Sequence, residues 1–210
     1  MRIFRIAGVA LVFAQLINAA SAKADAPAWM HNLVNAPLPP HDEKTDAVKL
    51  YSEITLNVQP NGKIKRIERQ VYRILRPGGR DYGMVHANFD SETKIDSIHG
   101  WCIPAQGKDY EVKDRDAAET SLFGVQNGEL ISDLKTRLLT IPAADPGNVI
   151  GYEIEQEVRP YVMQDVWDFQ ERFVPVREAH YKLQLPTAWE YKVSWLNHAS
   201  EIGGRRFWSA

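Results

Sequence analysis

The stretch from Asp133 to Pro160, DLKTRLLTIPAADPGNVIGYEIEQEVRP, restricts what this chain can fold into more than any other. Between Val149 and Val158, the apolar Ile150, Tyr152, Ile154 and Val158 alternate with the carboxylates Glu153, Glu155 and Glu157. That is the period of two of a strand with one face in a core and one in water. Asp145-Pro146-Gly147-Asn148 carries turn residues. Setting Ile141 opposite Val149 places Leu138 against Tyr152 and Thr136 against Ile154. It also places Arg137 against Glu153 and Lys135 against Glu155, so like meets like and charge meets opposite charge. The expectation is a β-hairpin in this register, the most ordered part of the molecule. A slip of one residue would turn Tyr152 and Ile154 to water and bury two glutamates. A slip of two keeps the charge pairing, so the length of the 142–148 loop must choose.

Other segments repeat the period. Val48, Leu50, Ile54, Leu56 and Val58 form a strand closed by Pro60-Asn61-Gly62, and the Asn-Gly pair predicts an antiparallel return from Ile64 to Leu75, with a bulge in the return strand. A short run holds Met84, Val85 and Phe89. A strand through Ile95, Ile98, Trp101 and Ile103 turns at Pro104–Gly107 and returns at Tyr110 and Val112. Residues 113–129 are polar and aperiodic, a surface excursion. Tyr161, Met163, Trp167, Phe169 and Phe173 predict a further strand. Tyr181, Leu183 and Leu185 predict another, answered after Pro186 by Trp189, Tyr191, Val193 and Trp195. About ten short strands with almost no helical period predict an all-β fold, an antiparallel two-sheet β-sandwich, with a barrel as the alternative.

The N-terminus combines Arg2 and Arg5, an apolar run from Ile6 to Ile17 and Ala20-Ser21-Ala22. This is the pattern of a secretory signal peptide, residues 1–22, with cleavage after Ala22. The run is too short to span a bilayer, and no later stretch is apolar enough. Residues 23–44 are expected to be an arm, in which Trp29, Met30 and Leu33 line a short helix before Pro37, Pro39 and Pro40. Residues 45–210 then form the β domain. Removing the signal leaves 23 of the 25 basic residues against 27 acidic ones, a mature net charge of about −4. That balance lacks the basic face that nucleic acid demands. Cys102 is the single cysteine, so no intramolecular disulfide can form, and stability falls to the core of a chain that holds 6 Trp, 8 Tyr and 7 Phe, of which only Phe4 and Phe13 lie in the signal.

Catalytic candidates are few. Cys102 is the one thiol nucleophile, and His99 is three residues away, which on a strand points to the opposite face. Cys102 is therefore expected to be a small buried residue beside Trp101. Glu153 and Glu155, like Glu155 and Glu157, stand about 6.6–7 Å apart along a strand, a spacing that overlaps that of inverting glycosidases. Three carboxylates on one strand with cations opposite are expected instead to be a solvated, salt-paired face. The histidines at 31, 41, 86, 99, 180 and 198 show no ligand spacing, and Gly78-Gly79 and Gly203-Gly204 lack the context of a phosphate loop, so neither metal nor cofactor is expected. Trp167, Phe169, Trp189, Tyr191 and Trp195 admit two readings, an inward-facing core, which their alternation favours, or an exposed platform for sugars or a protein.

Trp29, the Asn61-Gly62 turn, Thr136 to Pro142 followed by Pro146-Gly147 and Gly151-Tyr152-Glu153, and Trp167-Asp168-Phe169-Gln170 with Pro175-Val176 together resemble a bacterial domain of unknown function. The similarity covers roughly residues 45 to 205. In that family the module follows a signal peptide and precedes a transglutaminase-like domain. The resemblance implies an immunoglobulin-like β-sandwich without catalytic residues of its own. The expected function is a non-catalytic module, periplasmic or secreted, that binds or positions a protein or envelope polymer for a transglutaminase-like domain absent from this chain. The competing expectation is a hydrolase or acyl-transfer enzyme using Cys102 or the Glu153/Glu155 face. Phe207 and Trp208, close to Ala210, are expected to be covered by a further segment.

Overall fold

The computed structural model describes residues 25–121 and 133–196. The alternating segments become β1 (Ala47–Val58), β2 (Ile64–Ile74), β3 (Met84–Phe89), β4 (Thr93–Ile103), β5 (Tyr110–Lys113), β6 (Ala118–Ser121), β7 (Lys135–Thr140), β8 (Val149–Val158) and β9 (Ala179–Gln184). They form two sheets, one of six strands in the order β5-β4-β8-β2-β1-β9 and one of three in the order β3-β7-β6. The chain is thus mostly β and two-sheeted. The Asn61-Gly62 turn joins β1 to β2 antiparallel, with Val58 opposite Ile64, and β4 and β5 pair as their turn predicts. The bulge falls in β1, between Lys49 and Tyr51, rather than in the return strand, and it sends both Leu50 and Tyr51 to the same side.

The hairpin expected between β7 and β8 does not form. β7 lies between β3 and β6 in the small sheet, with Leu139 opposite Val85, while β8 lies between β2 and β4 in the large one. Both edges of β8 are occupied, so it has none to offer β7. The 141–148 loop crosses from one sheet to the other: Ile141 N–H donates to the Gly83 carbonyl at 2.8 Å, and Ile74 N–H to that of Asn148 at 3.1 Å. The charge pairing that favoured the hairpin was not selective, since β2 supplies cations at the same period.

A second correction concerns direction. β9 runs parallel to β1, with Tyr181 beside Ile54, and β8 has the same sense as β1 because β2 opposes both. Parallel strands cannot be joined by a tight turn; the chain must travel back along the sheet. Residues 159–178 make that crossover, which is why the strand expected through Trp167 and Phe173 is irregular here.

The large sheet is covered on both faces near its centre. On the inner face Ile98, Cys102, Ile150 and Ile154 pack against Val85, Ala87 and Leu139 of the small sheet and against Ile141. On the outer face Val48, Leu50, Val71, Trp101 and Val149 lie under Ala26 and Met30 of the arm, whose helix α1 spans Ala28–His31 and so stops before Leu33, short of the expected end near Asn35. Two glycines set these distances. A Cβ at Gly100 would stand 2.7 Å from the Ile141 side chain, and one at Gly151 would stand 2.8 Å from the Gln70 carbonyl and 2.9 Å from Met30. Arg73 anchors the arm by donating to the carbonyls of Val34 and, at 3.2 Å, Gly147.

Candidate functional site

Strand geometry separates the residues of the thiol hypothesis. Cys102 is buried between the sheets, where its Sγ donates to the Ala143 carbonyl at 3.7 Å, and burial pushes its thiol pKa up. His99 projects from the other face with Trp101, the two rings stacked at 5.7 Å, and its Nδ1 lies 2.8 Å from Glu111 Oε1. Cys102 is buried as expected, but Trp101 is its neighbour in chain only. The carboxylate ladder of β8 is salt-paired, with β2 rather than β7 as its partner. Arg69 Nε lies 2.5 Å from Glu153, Lys65 Nζ 3.0 Å from Glu155 and Lys63 Nζ 2.7 Å from Glu157. Arg137 turns instead to Asp114 at 2.7 Å and Lys135 to Glu119 at 3.1 Å. Among the described residues no three His, Cys, Asp or Glu side chains are placed to hold a metal.

Beside the arm, the sheet carries a network that pattern reading missed. Glu53, 3% exposed, accepts from Tyr51 Oη at 2.6 Å and from the Lys182 ammonium, and Arg69 Nη1 stands 3.4 Å away. Burial pushes its carboxyl pKa up, but these hydrogen bonds and the charges of Lys182 and Arg69 outweigh it and hold the group below its ordinary value. Arg69 also lies over the Trp29 ring at 5.5 Å, and Trp29 meets Trp101 edge-on at 6.0 Å. The network ties α1, β1, β2, β8 and β9 together, a structural task. In sequence its trace is Tyr51 and Glu53, which the period of two puts on one face.

A further feature lies where the crossover passes over the inner face of the large sheet. Val174 buries itself in the inter-sheet core. Lys49, almost wholly buried on β1, donates to Glu171 and sits 5.1 Å from the centre of the Tyr72 ring; burial draws its ammonium down to about 8, against the opposing pull of Glu68. Above this tie, Trp167 stands 5.5 Å from Tyr181 and 5.6 Å from Phe169, and Phe169 meets Trp195 edge-on at 6.4 Å. Trp167, Phe169, Gln170, Glu171, Arg177 and Trp195 line an open cleft of about 480 Å³.

The inward-facing core expected of these rings is therefore not what forms. Trp167 and Phe169 are half-buried, whereas Trp189, Tyr191 and Trp195 are exposed, and 189–195 is irregular rather than a strand. Tyr161 is 88% exposed and Phe173 82%, so apolar surface runs along both segments. The expectation for Phe207 and Trp208 falls outside the described residues, as does the signal-peptide region.

Comparison with known proteins places this geometry. The profile of a domain of unknown function with a solved structure, DUF3857, matches residues 60–209. No curated protein matches the chain. Among solved structures, a proposed protease from Parabacteroides distasonis superposes with a TM-score of 0.58 at 12% identity, over 66% of this chain and 28% of its own. Yeast LTA4 hydrolase in complex with bestatin aligns with a TM-score of 0.28 at 15% identity, over 62% of this chain and 18% of its own. This chain thus spans under a third of either protein, and the first likeness is one of fold alone.

Proposed function

Because the chain belongs to the DUF3857 family of domains of unknown function, we propose that it is a non-catalytic β module that binds or positions a protein or envelope polymer. The observation that carries this reading is the aromatic surface of residues 161–196, where rings stand in water beside a cleft instead of filling a core. Aromatic side chains offer large contact area at low entropic cost, and exposed apolar patches of this kind mark interaction sites. The buried thiol of Cys102, remote from His99, and the cation-paired glutamates of β8 support the non-catalytic reading over the hydrolase or acyl-transfer one.

In this proposal the first 22 residues are a signal peptide that delivers the module to the periplasm or beyond. Residues 23–44 are the docked arm, and residues 45–210 form an immunoglobulin-like sandwich accessory to a transglutaminase-like domain. The test is co-sedimentation of the purified chain with cell-envelope polymer. Replacing Tyr161, Phe173, Trp189 and Tyr191 together by Ser should weaken it by about tenfold or more while the fold persists. Turnover of a peptide, amide or polysaccharide that is abolished by Cys102→Ser, or by Glu153→Gln with Glu155→Gln, would overturn it.

A further inference from the structure

We propose that the cleft between the crossover and Trp195 is a subsite for a neutral glycan, a chain of uncharged sugar units. The inference rests on the binding-module reading and specifies its ligand. Trp167, Phe169 and Trp195 bring three rings to one opening, inclined to one another by 47° and 71° rather than laid in a flat wall. Ring faces suit the C–H faces of pyranoses, and rings at differing angles suit successive units of a bent chain. The volume of about 480 Å³ lies within the roughly 300–1,000 Å³ of small-molecule sites.

Charge selects among ligands. Glu171 accepts from Lys49, and Glu178 is held by Arg177 at 2.9 Å and by His180 at 2.6 Å, so both carboxylates that line the cleft, and its Arg177, already have partners of opposite sign. An acidic or basic ligand therefore finds no uncompensated charge of opposite sign among the lining side chains. A polyhydroxylated neutral ligand needs none, because a paired carboxylate retains lone pairs for hydroxyl donors and the Gln170 amide both donates and accepts. The buried Lys49 holds Glu171 from behind, and buried Val174 anchors the crossover under the cleft, so the polar groups are set before a ligand arrives.

Isothermal titration of the purified full chain tests this with chitohexaose, cellohexaose and maltohexaose as neutral probes, and with hexagalacturonate and hexalysine as charged ones. At least one neutral hexasaccharide should bind with a Kd between micromolar and millimolar. Trp167→Ala and Trp195→Ala should each weaken it by about tenfold or more, with circular dichroism confirming the fold. Trp167→Phe should restore part of the affinity, and Met84→Ala, exposed on β3 and not among the cleft's lining residues, should leave it unchanged. Binding of no neutral probe, preference for a charged one, or affinity indifferent to Trp167 and Trp195 would overturn the assignment. Co-sedimentation with envelope polymer separates the two readings. Co-sedimentation of a wild type that binds no saccharide probe overturns the cleft and leaves the module reading standing; absence of co-sedimentation as well overturns both.

Discussion

β8 and the segment 189–195 carry the same period and reach opposite ends. Ile150, Tyr152 and Ile154 alternate with Glu153 and Glu155, and Trp189, Tyr191, Val193 and Trp195 alternate with Glu190, Lys192 and Ser194. The first is a central strand with a neighbour on each edge; the second is irregular and exposed. The second has the heavier apolar face, so hydrophobic content does not separate them. What does is hydrogen-bonding company: β2 and β4 present ladders on either side of β8, while 189–195 follows a tight turn at the edge strand β9 without extending the sheet. Alternation states a preference, and a neighbour realises it.

Truncation should expose the contrast most strongly. Ile150→Ala, in the inter-sheet core, should cost about 2–5 kcal/mol in urea unfolding, because the void is walled by both sheets. Val193→Ala should cost about 0.5 kcal/mol or less. Comparable losses would mean that 189–195 is packed after all.

Next in size is Gly151→Ala, whose added methyl meets the Gln70 carbonyl and Met30. A loss of about 1–3 kcal/mol is expected, together with faster hydrogen exchange in α1, since the flexible Met30 must give way before the backbone does.

Glu53→Gln should remove about 1–3 kcal/mol at neutral pH by weakening the tie between β1, β2 and β9. Because the folded carboxyl titrates below the ordinary value of 4.5, its stabilisation is fully present above pH 4.5 and is lost as the pH falls through the folded value. Acid titration of unfolding should therefore show a step below pH 4.5 in the wild type that is reduced in Glu53→Gln. Smaller again than Glu53→Gln, Lys65→Ala on the exposed ladder should change stability by under about 1 kcal/mol, and the difference should shrink further in high salt.

The lesson of the ladder extends to what the chain declares in advance. Its all-β class, the Asn61-Gly62 and Pro104–Gly107 turns, and the divergence of His99 from Cys102 were all legible, because each depends on residues a few positions apart. The aromatic cleft was legible only as a set of rings with two readings. Gly100 and Gly151, the contact points of the two layers on the large sheet, gave no signal beyond an isolated glycine in a strand.

By itself, then, the amino-acid order determined which segments seek a sheet and which of their faces seek water, since side-chain alternation and turn chemistry are local. Which strand lies beside which was decided only by the tertiary structure. Glu153, Glu155 and Glu157 are matched in period by Lys135 and Arg137 of β7 and alike by Lys65 and Arg69 of β2 with Lys63 just before it. Pairing β8 with β2 and β4 leaves Leu139 and Ile141 free to cover Ile98, Cys102 and Ile150 from the other side. A hairpin would have set β7 at the edge of β8 in one sheet and left that apolar face open. Burial of a face, a property of the whole assembly, settled what local charge could not.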